Sequence, residues 1–273
     1  MQECFFRYVP DESITVYQGK KNMKSVYWST LKRSFLSPLF FGAIVGTVLT
    51  CYISARDYIV DDMNVVYIIE LMLNLGMMKK VLVFFAAIPF VTAFCQDYNS
   101  GYINFVLSRS SEKKYLISTV FSCVLSGFSA IFIGISIFGA ILSVVYPVQT
   151  YETVGVYSSV AAQHPLLYLL ILNSVFSLYA AVWTTAGLAL SAILVDGMVA
   201  LGSPLIWGYV LEEMTDKLPS YLNLYKLSHC YDIFGQSVLL NYLYTIAVFI
   251  FAILIFGYIF AYFAKRRIRN EMV

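Results

Sequence analysis

Long apolar runs alternate with short polar ones, and this alternation limits what the chain can fold into. Val81 to Phe94 and Leu116 to Val145 contain no charged residue. Crossing a hydrocarbon core takes about 20 consecutive apolar residues, so both runs read as bilayer spans, the first completed by its flanks. Between them lies Asp97 to Tyr115, reading Asp-Tyr-Asn-Ser-Gly-Tyr-Ile-Asn-Phe-Val-Leu-Ser-Arg-Ser-Ser-Glu-Lys-Lys-Tyr. A plain connection between spans needs only a few polar residues. This one carries Tyr102, Ile103, Phe105, Val106 and Leu107, followed by Arg109, Lys113 and Lys114. An apolar-aromatic segment followed by bases predicts a short helix lying at the membrane interface.

The composition agrees. The chain is 60% hydrophobic and 12% charged, whereas a soluble domain is about 25% charged. We therefore read an all-α, polytopic integral membrane protein of about six spans: Pro38–Ser54, Met77–Phe94, Leu116–Tyr146, Pro165–Val195, Met198–Leu211 and Leu239–Ala264. The second and fifth are short and contain Pro89 and Pro204. Lys79 and Lys80 are expected to snorkel out from the start of the second span. Residues 1–22 read as a polar extension without the apolar core of a signal peptide, and Met23 is an alternative start. Residues 23–37 read as an amphipathic interfacial helix, because Tyr27, Leu31 and Phe35 recur every four residues among Lys24, Lys32 and Arg33. Residues 38–273 form the six-span domain.

Charge fixes the expected orientation. With six spans, the termini and the second and fourth loops share one side. That side holds Arg7, Lys20, Lys21, Lys24, Lys32, Arg33, Arg109, Lys113, Lys114, Lys265, Arg266, Arg267 and Arg269, thirteen of the eighteen bases. Arg56, Lys79, Lys80, Lys217 and Lys226 make up the other five. The positive-inside rule then puts both termini and the 97–115 loop in the cytoplasm. Outside, the Arg56–Gly76 segment reads as a helix resting on the surface, with Asp57, Asp61, Asp62 and Glu70 among Met63, Val66, Tyr67 and Leu71. Leu211 to Asn241 is acidic and then aromatic.

Several chemistries find little support. Beyond Lys79 and Lys80 the spans hold no Asp, Glu, Lys, Arg or His, which ion-coupled transporters usually keep in the membrane. A sodium site of carbonyls and hydroxyls, using Ser118, Ser122, Ser126, Ser129 or Asn173, stays open, although helix packing is the simpler role for them. No phosphate-binding loop of the form G-x-x-x-x-G-K-[ST] occurs, so nucleotide would bind on another chain. Cys4, Cys51, Cys95, Cys123 and Cys230 are scattered and form neither a disulfide framework nor a zinc site. Gly42 and Gly46 form G-x-x-x-G in the first span, a spacing that allows close helix–helix contact and makes them candidates for a dimer contact.

One family resemblance stands out. Phe94-Cys95-Gln96-Asp97-Tyr98-Asn99-Ser100-Gly101-Tyr102, then Leu107-Ser108-Arg109 and Lys113-Lys114-Tyr115, resembles the region between the second and third spans of type-2 ABC transporter permeases. Asp196-Gly197-Met198-Val199-Ala200-Leu201-Gly202-Ser203-Pro204 resembles the start of that family's fifth span. Arg109 stands where many family members have proline. The resemblance implies a transport subunit and not an enzyme, with no cofactor on this chain and ATP and Mg on a partner ABC ATPase subunit. It also implies a second permease copy as homodimer or heterodimer, and no nucleic acid. A cytoplasmic coupling helix would dock the ATPase through Asp97, Tyr98, Gly101, Tyr102, Phe105, Arg109, Glu112 and Lys113. Within it, Asp97 is expected to cap backbone N–H groups of the following helix. Bulk at Gly101 is expected to obstruct approach to the ATPase or to the neighbouring span. Arg109 and Lys113 are expected on one helical face. A bacterial plasma membrane and a peptide, drug-like or lipid-like substrate follow by analogy.

Two alternatives belong to other classes. Glu212-Glu213-Met214-Thr215-Asp216-Lys217 with His229 faintly resembles intramembrane CAAX-type proteases, but its glutamates sit at a span end and His164 lies in a different loop. A non-transporting membrane scaffold is the other. A neighbouring ATP-binding-cassette gene would separate these from the transport reading.

Overall fold

The computed structural model describes residues 23–56, 64–75, 79–148, 157–215, 218–230, 232–235 and 237–271. The polar extension, Asp57, Asp61, Asp62 and Met63 lie outside the described residues, as do the side chains of Arg109, Glu212 and Glu213. The described residues are helical with no strand. Among the described residues four helices are long and apolar enough to cross a membrane, at Pro38–Arg56, Glu112–Val145, Pro165–Leu194 and Val238–Asn270. That is the make-up of an all-α membrane protein.

The bundle is built around Pro165–Leu194 (α9). Phe176, Ala180, Ala181, Val182, Trp183, Leu188 and Ala192 bury it on nearly every side, and a helix apolar all round belongs in the interior. Its alanines, serines and threonines let neighbours approach closely. Around it stand Pro38–Arg56 (α2), Glu112–Val145 (α7), Gly197–Thr215 (α10) and Val238–Glu271 (α12); all but α2 pack on it directly. α12 turns Leu243, Phe251, Leu254 and Tyr258 outward, and α7 turns out Ile117, Phe121 and Ile141. Such surfaces are stable only against lipid or another apolar partner.

The second expected span is broken. It comprises Lys79–Ala87 (α4) and Ala93–Asn99 (α5), separated by a turn over residues 88–92. Pro89 supplies the break: it has no N–H to donate and its ring crowds the preceding turn. Phe90 and Val91 are buried, and irregular backbone at membrane depth must be enclosed by protein. The fifth expected span is α10, with Pro204 inside it and a 14-residue apolar part, Gly197–Val210. Asp196 caps it, its Oδ1 accepting from the N–H groups of Met198 at 2.7 Å and Val199 at 3.3 Å.

Two expectations at the end opposite residues 97–115 need correction. The helix Val65–Leu75 (α3) does not rest on a surface. Val66, Ile68, Met72 and Leu73 are buried in the main core beside α9, because its apolar residues cover more than one face. Glu70 is drawn in with them, and burial raises its carboxyl pKa against a hydrogen bond with Tyr168 that lowers it. Lys79 does not snorkel. It is 7% exposed, its ammonium donates to the Tyr225 hydroxyl, and it lies 3.3 Å from His229 Nε2. The apolar stem would shield the charge poorly there, whereas Tyr225 offers both an oxygen and a ring face at 3.8 Å. Lys80 lies 4.3 Å from the Tyr209 ring. The short helix Leu224–Ser228 (α11) carries Tyr225 and is capped by Asn223 Oδ1, which accepts from the Tyr225 and Lys226 N–H groups.

Candidate functional site

The candidate site lies where the first described helix, Met23–Phe35 (α1), meets the stretch after the broken span. α1 has a covered and an exposed face. It packs on α7, burying Ser34, and turns Trp28, Ser29, Lys32 and Arg33 outward. Thr30 Oγ1 is 3.5 Å from Ser118 Oγ on α7. Phe35 and Phe40 meet edge-to-face at 4.9 Å, fixing the corner between α1 and α2.

Asp97 ends up inside this junction at 5% exposure. A buried carboxylate is costly without compensation, and the fold supplies two partners. Arg33 Nη1 donates to its Oδ1 in an ion pair, and the Tyr115 hydroxyl donates to its Oδ2 at 2.9 Å. Asp97 therefore does not cap the following helix as expected. Its oxygens tie α1, α5 and α7 together at one point. The Arg33 guanidinium also stands 5.9 Å from the Tyr102 ring and reaches Gln96 Oε1 at 3.5 Å.

The helix Tyr102–Arg109 (α6) follows. Gly101 precedes it at φ 70°, a left-handed conformation that favours glycine. A Cβ there would meet nothing within 4 Å, so the space next to the backbone is open and the left-handed φ is what favours glycine. Ile103 anchors α6 inward, while Tyr102 and Phe105 are exposed. Tyr98 packs its ring on Phe94 at 5.9 Å. Ser110 is extended (φ −138°, ψ 164°) and Ser111 precedes α7. Arg109 ends one helix and Lys113 lies in the next, so they do not share a face. Glu112 opens α7, with Arg269 of α12 at 3.9 Å.

Asp97, Tyr102 and Phe105 line one cleft of about 270 Å³, together with Val26, Ser29, Arg33, Ser110 and Tyr115. Gly101, Glu112 and Lys113 stand around it without lining it. Arg33, Tyr115 and Ser110 are the site residues that sequence reasoning missed. A carboxylate at the end of an apolar segment does demand a partner, but which base supplies it is a tertiary fact. Gly46 packs within the chain, where a Cβ would come within 3 Å of the Phe85 ring; Gly42 is on the exposed side with nothing near.

At the far end of α9, Arg267 Nε donates to the Ala192 carbonyl at 2.7 Å and its guanidinium donates to the Ile193 carbonyl. Carbonyls at a helix C-terminus lack partners within the helix, and a cation suits them. The α12 tail thus closes α9 beside the Asp97 region. His164 lies between the short helix Ser158–Gln163 (α8) and α9, and His229 faces Lys79. Among the described residues no group of His, Cys, Asp or Glu could hold a metal ion. No family model matches the chain, and neither does any curated protein or solved structure.

Proposed function

We propose that this chain is the membrane-spanning subunit of an ATP-driven transporter of the type-2 ABC permease kind, driven by a separate ATPase subunit through residues 97–115. The observation that carries the reading is the three-way tie at Asp97. Because α1, α5 and α7 meet there and α6 leaves from it, a push on α6 reaches a surface helix, a broken span and a full-length span together. The exposed Tyr102 and Phe105 offer such a push a grip.

In this reading the broken α4–α5 pair and the proline-containing α10 count as the second and fifth of six spans. Both termini and α6 are cytoplasmic. A second permease copy completes the path, in a bacterial plasma membrane. A peptide, drug-like or lipid-like substrate rests on family analogy.

Purification of the tagged chain from membranes of its host tests the proposal. An ATP-hydrolysing subunit should co-purify with the wild type. It should be lost, or its turnover uncoupled from substrate, in the Arg109→Glu, Lys113→Glu double variant. Recovery of an intact, coupled complex from that variant would show that residues 97–115 are not the coupling element.

A further inference from the structure

We infer that the cleft between α1 and α6 is a binding site for one acidic phospholipid, its phosphate received at Arg33 and its upper chain lying along Val26, Phe105 and Val106. The inference rests on the membrane reading alone and not on the ATPase. The cleft joins two kinds of wall. Val26, Tyr102, Phe105 and Val106 make one apolar side, and Ser29, Arg33 and Ser110 set polar groups against it. The Arg33 side chain remains 41% exposed despite its ion pair. Of its three guanidinium nitrogens, Nη1 is committed to Asp97 and Nη2 makes only a long contact with Gln96. A guanidinium's planar fork has donors to spare for phosphate oxygens.

The Ser110 hydroxyl is the second observation. Ser110 is 6% exposed and its Oγ has no hydrogen-bond partner. A buried hydroxyl without a partner costs free energy, and a headgroup oxygen reached by rotation about χ1 would satisfy it. The surroundings select lipid over a soluble anion. Trp28 is 62% exposed with the Lys32 ammonium 5.4 Å from its ring, and Tyr102 and Phe105 are exposed across the cleft. Exposed aromatics interleaved with bases mark the headgroup level of a bilayer. Asp97 does not repel the phosphate strongly, since Arg33 and Tyr115 already hold both its oxygens.

Native mass spectrometry of the delipidated full chain tests this, using phosphatidylglycerol and phosphatidylcholine of identical acyl chains. The wild type should retain one phosphatidylglycerol with at least about a fivefold preference, what a single well-placed base confers. The Arg33→Gln, Asp97→Asn double variant removes both charges without stranding a carboxylate, and should lose the preference. Ser110→Val leaves the ion pair in place and should weaken retention of phosphatidylglycerol severalfold. If the double variant does not fold, Ser110→Val and Arg33→Lys, which keeps the charge but not the fork, decide the matter. Millimolar inorganic phosphate should not displace the lipid. Equal retention of the two lipids by the wild type, unchanged preference in the folded variants, or displacement by phosphate alone would each overturn the inference. Loss of the ATPase with lipid binding intact, or the reverse, separates this site from the coupling role.

Discussion

Arg33 and Asp97, 64 positions apart in the chain, form the ion pair that fastens the surface helix α1 to the end of the broken span. The carboxylate is buried and the guanidinium is partly in solvent. The pair therefore lies between the buried and exposed limits: removing one partner costs more than at a surface bridge, while desolvation of the carboxylate offsets part of the attraction.

A double-mutant cycle should measure this. Asp97→Asn and Arg33→Gln should each destabilise the chain in detergent, Arg33→Gln the more, because it strands a buried carboxylate. The coupling between them should be roughly 1–3 kcal/mol. Additive effects in chemical unfolding would show that the pair contributes nothing as a pair.

Arg267 should matter for stability apart from its charge. Arg267→Ala leaves the Ala192 and Ile193 carbonyls without their donor and should cost roughly 1.5–3 kcal/mol, the range for hydrogen bonds to charged groups. Arg267→Lys should recover only part, since an ammonium lacks the fork that reaches two carbonyls. Full recovery by lysine would reduce the role of Arg267 to simple charge.

Glu70 predicts a pH dependence. Burial raises its folded-state carboxyl pKa above an unfolded value of about 4.3. Its stabilising contribution is thus fully present below about pH 4.3 and is lost as pH rises through the folded value. Glu70→Gln should flatten the stability profile across that window and raise the thermal midpoint at neutral pH relative to wild type. Identical pH slopes for the two proteins would contradict the assignment.

Gly101 separates backbone from contact. Asparagine tolerates the left-handed region far better than bulky residues do. Gly101→Asn should therefore fold and keep the ATPase, while Gly101→Trp combines backbone strain with bulk beside α6. If Gly101→Trp folds like wild type and keeps a coupled complex, α6 is not the docked surface.

Sidedness is directly testable. In a cysteine-free background, a cysteine at exposed Ser159 should react with an impermeant thiol reagent in intact cells, and one at exposed Ser108 should not. The reverse pattern would remove the basis for the transport reading.

The sequence by itself determined the all-α, apolar class and the course of the long helices. Uncharged runs such as Leu116–Val145 leave no stable choice but a helix in an apolar surrounding, since each backbone polar group must be satisfied within the segment. The amphipathic period of α1, the proline break at Pro89 and the helix after Gly101 are likewise local properties, readable from a few neighbouring residues. Which residues meet was decided only in three dimensions. Asp97 has nothing beside it in the chain to mark Arg33 as its partner, and Tyr115 lies eighteen positions away. Lys79 reads as a snorkelling base until α11 folds back over it, and the basic α12 tail reads as topology signal until Arg267 meets the end of α9. Long-range electrostatic pairing depends on which helix faces adjoin, and no pattern among neighbouring residues in the chain marks those faces.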